Sequence, residues 1–270
     1  MTPFEAIVRA PEHEIDLGLA ALALATVESP DLDPRPWVAR LDELAERSGA
    51  RGAGDAHEAL GRLRTFLFDG EGFQGNADDY FDPRNSCLDH VLSRRLGIPI
   101  TLSLVMMEVG RRVGLRIEGV GLPGHFVVRA HAATRSVLID PFHAGQVLTE
   151  ADAADVVTQA VGRSVPLTDE HFAAVTKRQL LARMLLNLKA IYVKREAWAK
   201  ALIVIDWLAL LDADRAGQLR DRGTVLVKLG KFQAGVAEWE RYLTRMPHAP
   251  DAETLRGQLR RIRQAIASLN

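Results

Sequence analysis

Apolar positions recur at helical spacing from the N-terminus to about residue 70. Ala20 to Val27 is rich in Ala and Leu. Trp37, Leu41 and Leu44 form a stripe behind Asp33-Pro34-Arg35-Pro36, where proline in a first turn marks a helix start. Ser48 to Asp55, with its Gly and Ala, reads as a loop, and a further helix through Ala59, Leu60, Leu63 and Phe66 is predicted to end near Gly70 and Gly72. From Gly72 to Pro83, Gly, Asn, Asp and Pro lie too densely for regular structure. Ser86 and Asp89 then read as a capping box for a helix carrying Leu88, Val91, Leu92 and Leu96, with Arg94 and Arg95 in its last turn and Gly97 closing it. A second helix is predicted to start near Thr101, because Leu102, Val105, Met106, Val109 and Val113 fall on one helical face. Three short strands follow, Arg116 to Val120, Phe126 to Ala130 and Ser136 to Ile139. Helices followed by strands predict an α+β domain with a small antiparallel sheet.

From about Lys177 the helical period returns, and the chain matches itself at an offset of 34 residues, the tetratricopeptide period. Tyr192, Trp198, Ala201, Ile205, Leu208 and Ala213 fall opposite Leu226, Phe232, Gly235, Trp239, Tyr242 and Pro247. The second copy has Gly223 and Gly230 where the first has Lys189 and Glu196. Leu255, Leu259, Ile262 and Ile266 form the stripe of a last helix that covers the end of the stack. Trp198, Phe232, Trp239 and Tyr242 occupy packing positions and are expected in the core, whereas Trp207, off that register, is expected to be exposed. The expected organisation is an α+β domain over residues 1–165 and an all-α tetratricopeptide-like region over 175–270.

Composition narrows the functional classes. In 270 residues, 47% hydrophobic and 26% charged, the chain can bury a sizeable core without disulfides or metals. Lys plus Arg (34) nearly balance Asp plus Glu (35), which removes the broad attraction that nucleic acid or anionic membranes exploit. Apolar runs such as Leu19 to Ala25 are too short to span a bilayer. A single cysteine excludes an internal disulfide and a Cys-based zinc site, and Met-Thr-Pro-Phe-Glu has no signal-peptide character, so a cytoplasmic location is expected.

The residues that suggest chemistry lie in Gly121-Leu122-Pro123-Gly124-His125-Phe126 and in Ile139-Asp140-Pro141. If the two strands pair around a four-residue loop, His131 to Thr134, then 130 faces 135, 127 faces 138 and His125 faces Asp140. Directly opposed antiparallel residues have Cβ atoms about 4.5–5.5 Å apart, close enough for an imidazole to hydrogen-bond a carboxylate. Such a carboxylate fixes the ring's tautomer and orientation, as in a catalytic triad.

A helix followed by strands bearing His and then Asp-Pro resembles the transglutaminase-type core shared with papain-like enzymes. More closely, Gly72-Phe73-Gln74-Gly75-Asn76, Asn85-Ser86, Arg94-Arg95-Leu96-Gly97-Ile98-Pro99-Ile100-Thr101, Gly121 to Phe126 and Ile139-Asp140-Pro141-Phe142 resemble the bacterial SirB-type family over roughly residues 30 to 250. The resemblance implies a transglutaminase-like domain followed by tetratricopeptide repeats. It also implies a nucleophilic cysteine in a Gly-x-Cys segment at the start of the helix before the His strand. Here that segment is Gly97-Ile98-Pro99, and the nearest hydroxyls are Thr101 and Ser103.

Cys87, in the first turn of the preceding helix, is the remaining thiol. A helix dipole would favour its thiolate there, whereas its position on the edge of an apolar stripe argues for an inert core thiol. Asn85, Arg94 and Arg95 are candidates to line the same cleft, although arginines near a helix end also serve as solvated dipole partners. His90, His131 and His143 show no metal-ligand spacing with His125 and Asp140, so no metal centre is expected, and no cofactor. The loop Gly72 to Asn76 lacks the Gly-Lys-Ser/Thr ending of a phosphate cradle. Two functions follow. The first is a non-catalytic or degenerate-site module that binds a protein or peptide partner. The second is a thiol- or hydroxyl-dependent acyl transferase or amide hydrolase, with His125 as base, Asp140 orienting it, and Cys87, Thr101 or Ser103 as nucleophile.

Overall fold

The computed structural model describes residues 1–132, 135–211 and 216–268. Ala133 and Thr134 of the expected hairpin loop, Ala213 of the repeat match, and the side chain of Ile266 lie outside the described residues. The chain divides into two compact units, Met1–Met184 and Leu185–Asn270.

In the first unit the helical segment comprises α1 (Pro3–Val8), α2 (Leu17–Ala25), α3 (Arg35–Arg47) and α4 (Ala56–Arg64), the last extended by a wider turn over Thr65–Gly70. α2 is made almost wholly of Ala, Leu and Gly and is buried nearly all round, with Asp16 capping its start. A helix apolar on every side belongs inside a protein rather than on its surface. The two-residue strand β1 (Gln74–Gly75) pairs in parallel with β2 (Leu96–Gly97), and α5 (Leu88–Arg94) lies between them in sequence. Next comes α6 (Pro99–Arg112), which begins two residues before the expected Thr101 because proline suits a first helical position.

The sheet is antiparallel in the order β3 (Arg116–Val120), β4 (Val127–Ala132), β5 (Arg135–Asp140), β6 (Gln146–Leu148), followed by α7 (Glu150–Val161). Val120, Leu122, Val127, Leu138 and Leu148 form one core cluster with Ala153 and Val157 of α7. Ile117, from the other face, lies so close to Gly110 of α6 that a Cβ there would meet its Cδ1 at 2.5 Å.

Two local expectations need correction. Ser86 and Asp89 form no capping box: Cys87 is the N-cap of α5, Ser86 belongs to the tight turn Pro83–Ser86, and Asp89 accepts a 3.1 Å bond from Ser29. Asp82 caps that turn instead, its Oδ1 accepting the Arg84 N–H at 3.0 Å. Gly97 does not close α5 either, since Arg95 takes the left-handed C-cap position at φ 59° and Gly97 joins β2.

α8 (Lys177–Lys194) spans the division between the two units. The second unit continues with α9 (Trp198–Leu211), α10 (Ala216–Lys228), α11 (Phe232–Arg245) and α12 (Ala252–Ser268). α10 and α11 meet through two glycines. A Cβ on Gly223 would lie 2.4 Å from Trp239 and 2.9 Å from the Gly235 carbonyl oxygen, so the backbones approach as closely as side-chain-free positions allow. Trp239, Tyr242, Leu255 and Leu259 carry the core of α11 and α12. Trp207, expected to be exposed, is buried, and Phe232, expected in the core, is 43% exposed. The 34-residue match aligned Phe232 with Trp198, and each opens its helix, α11 and α9; Trp198, also expected in the core, is likewise only partly buried.

Candidate functional site

The loop before β4 and the end of β5 bring His125 and Asp140 together, with His125 Nε2 2.8 Å from Asp140 Oδ2. The strand register differs from the expected one. Ala132 pairs with Arg135 and Val128 with Ile139, so the hairpin is two residues tighter. A slip of two preserves which face each side chain occupies, since strand side chains alternate with period two. His125 is therefore diagonal to Asp140 rather than opposite it, and an imidazole is long enough to span a diagonal.

Several backbone contacts fix the pair. His125 N–H donates to the Leu122 carbonyl at 3.2 Å. From α8, Arg183 Nη2 donates to the carbonyls of Leu122 at 2.6 Å and His125 at 2.5 Å, while its guanidinium lies 5.4 Å over the Phe126 ring. Asp140 Oδ1 accepts the backbone N–H groups of Phe142 at 2.9 Å and His143 at 3.3 Å. Burial would raise the Asp140 pKa, but hydrogen bonds and charge from His125 and His143 outweigh it and hold the carboxyl below its ordinary value.

His143, weighed from the sequence only as a metal ligand and set aside for want of ligand spacing, joins the pair: its Nδ1 lies 2.7 Å from the same Asp140 Oδ2 and its ring stacks on His125 with centroids 5.7 Å apart. The i,i+3 spacing in Asp140-Pro141-Phe142-His143 is the signal that could have found it. The chain turns back immediately afterwards through Ala144 and Gly145, both at positive φ (51° and 69°). A Cβ on Gly145 would also strike Phe68 at 2.3 Å, so position 145 admits no side chain.

A cavity of about 410 Å³ opens beside the pair, lined by Tyr80, Pro99, Gly124, His125, Phe142 and His143, with Gln159 and Ala160 of α7 on another wall. Pro99 stands at the first position of α6, so the wall beside His125 is a pyrrolidine ring. Tyr80 is the hydroxyl among these lining residues. Burial raises its pKa against the opposing pull of Arg183, so it stays protonated.

The other candidates lie elsewhere. Cys87 is fully buried and is not among the lining residues of this cavity. Thr101 Oγ1 donates to the Asn85 carbonyl at 2.7 Å, Asn85 Oδ1 accepts from Asn76 Nδ2 at 3.0 Å and from Arg94 Nη1 at 3.3 Å, and Asn85 Nδ2 donates to the Asp79 carbonyl at 2.7 Å. This buried network straps the loop after β1 to the start of α6. Ser103 is buried two residues further along α6, and its hydroxyl has no hydrogen-bond partner in the structure. Arg95 pairs with the buried Glu71 at 3.0 Å, alongside Arg40 at 2.9 Å and Arg47 at 2.5 Å.

A helix opening beside a His-bearing strand, with an acid on the next strand, defines a transglutaminase-like core. Residues 35–186 match the transglutaminase-like superfamily and residues 188–260 match a tetratricopeptide repeat. The chain belongs to the transglutaminase-like superfamily. It belongs more narrowly with the bacterial UPF0162 proteins: one from Xylella fastidiosa (strain Temecula1) is 32% identical over 254 residues, covering 92% of this chain and 90% of the relative. The UPF0162 protein of Vibrio cholerae is 27% identical over 189 residues, 70% of each chain. A third similarity, 33% over 139 residues, is to F-box only protein 21 of Mus musculus and covers 48% of this chain and 21% of that protein.

Proposed function

We infer that this protein is a SirB-type interaction module of the cytoplasm, in which a transglutaminase-like pocket and tetratricopeptide hairpins recognise a protein or peptide partner without acyl transfer. The observation that carries this reading is Pro99, which occupies the helix-start position beside His125 where thiol chemistry needs a nucleophile. Cys87, Thr101 and Ser103 are committed to core packing or to the network under the pocket. The second unit adds a cavity of about 290 Å³ lined by Val227, Trp239 and Ile262 together with Lys228 and Arg261. Apolar grooves with charged residues between stacked helices suit an extended or helical peptide.

The alternative, amide or ester hydrolysis, draws on the 2.8 Å contact between His125 and Asp140, a base and its orienting acid. One experiment separates the two. The full chain is incubated with a casein acyl donor and a fluorescent primary amine, with ammonia release followed in parallel, and Cys87 is probed with iodoacetamide. The module reading expects no incorporation or release above a His125→Ala control, and labelling of Cys87 only after denaturation. Turnover that His125→Ala abolishes would overturn it. Selection of a peptide library on the immobilised full chain completes the test: enriched sequences support the module, and their absence rejects it.

A further inference from the structure

His143 has no role in either reading above, yet it completes a set of donors around one carboxylate oxygen. We propose that His125 Nε2, Asp140 Oδ2 and His143 Nδ1 form a binding site for a divalent transition-metal ion of the zinc type.

Four observations carry the proposal. The three donor atoms all lie within 4.8 Å of one another, with Oδ2 at 2.8 and 2.7 Å from the two nitrogens. Two imidazoles and one carboxylate are the borderline donors that zinc-type ions prefer, and three protein ligands leave a further position open. Asp140 is already oriented as a monodentate ligand, because the backbone N–H groups of Phe142 and His143 hold Oδ1 and leave Oδ2 turned to the imidazoles. Outer hydrogen bonds of this kind aim ligating carboxylates at metals. Finally, His125 and His143 both line the 410 Å³ cavity, so the remaining coordination positions can be filled by water or by a donor group of the pocket's occupant.

The geometric adjustment is small. An ion at about 2.0–2.1 Å from each donor spaces tetrahedral ligands about 3.3 Å apart, so each nitrogen moves about half an ångström from Oδ2 and the two rings close on each other. The two ring protons that now converge on Oδ2 pass through solvent to the opposite ring nitrogens, His125 Nδ1 and His143 Nε2, which frees a lone pair on each ligand nitrogen. The charge of the ion then takes over their role toward Asp140. Arg183, which holds the backbone carbonyl of His125, keeps the buried ligand in place. Another imidazole–carboxylate pair, His131 with Glu118 at 2.8 Å, lies on the open sheet with a single histidine, and it serves as the internal control for adventitious binding.

The test uses chelator-treated full-length protein. Zinc is titrated by calorimetry, and cobalt by its visible ligand-field absorption. The expected result is one equivalent bound with a four-coordinate cobalt spectrum, weakened at least about tenfold by His143→Gln and by Asp140→Asn, and unchanged by His131→Gln. His143→Gln is the deciding variant, since its side chain is 47% exposed and is not part of the buried core. Equal affinity of wild type and His143→Gln, binding lost only in His131→Gln, or no saturable binding by the wild type would each overturn the proposal. None of these outcomes bears on whether a thiol is used, so the non-acyl-transfer reading stands or falls separately.

Discussion

Asp82 is almost fully buried, and its carboxylate accepts the Arg84 backbone N–H and guanidinium at about 3 Å, with Arg94 at 3.4 Å. Burial raises its pKa, but the Arg84 hydrogen bonds and the two cationic charges win, and the carboxyl is held below its ordinary value of 3.8. A carboxyl more acidic when folded contributes stability that is fully present above the unfolded value and is lost as pH falls through the folded one. Thermal melts taken downward from about pH 5 will therefore show an acid limb that is shallower in Asp82→Asn, the stability difference between the two proteins being constant above about pH 4 and shrinking below it as the wild-type carboxylate takes up its proton. An identical slope in both proteins would contradict this. The same scale explains what was legible in the site. His125 and Asp140 could be read from the sequence because strand parity keeps a face even when the loop length is misjudged by two. His143 could not be read from strand pairing, because it reaches Asp140 through the turn after β5, outside any strand register.

At the level of elements, the two copies of the repeat solve one turn differently. Gly230 ends α10 with φ 74°, and Glu196, its counterpart after α8, is forced to φ 55°. A left-handed backbone costs a non-glycine residue about 1–2 kcal/mol, partly offset here by the lower unfolded-state entropy of Glu. Glu196→Gly should thus raise stability by about 0.5–1 kcal/mol in denaturant melts, although it deletes a side chain. Gly230→Ala, with nothing within 4 Å of the added Cβ, should cost about 1 kcal/mol, the backbone strain alone. Gly223→Ala must also displace Trp239 and the Gly235 carbonyl, so its cost should be larger, about 1–3 kcal/mol. The reverse order would mean that α10 and α11 do not pack as described. The helical period made these repeats legible, and apolar alternation did the same for β3 to β5. β1 and β2 are two residues each, too short for any alternation to register, and β6 is three. α7 does carry a start signal, the Thr149–Asp152 capping box, but it is Ala-rich and buries only Ala153 and Val157 fully, so its apolar stripe is faint.

For the first unit as a whole, residues 174–183 act as a clasp. Ala174 bridges to Val120, and Val175 N–H donates to the Gly119 carbonyl at 2.9 Å. Lys177 Nζ donates to the Ile15 carbonyl at 2.6 Å, and Arg178 donates to the carbonyls of Val8 at 2.6 Å and Ala10 at 2.8 Å. Arg183 closes on the His125 loop, so one helical segment ties both the N-terminal helices and the candidate site to the sheet. These bonds join charged donors to backbone carbonyls, each worth about 1.5–3 kcal/mol when desolvated, and their loss strands partly buried acceptors. Arg183→Met should cost about 2–4 kcal/mol in thermal or denaturant unfolding, because it keeps the apolar stem and removes both donors. Ending the chain at Val165 removes the entire clasp, whereas ending it at Lys194 retains all of α8. Limited proteolysis and hydrogen exchange should then find the shorter chain cut or exchanging at residues 8–15 and 122–125, and the longer one protected there. Equal protection in the two would show that the sheet and α2 hold those segments without α8.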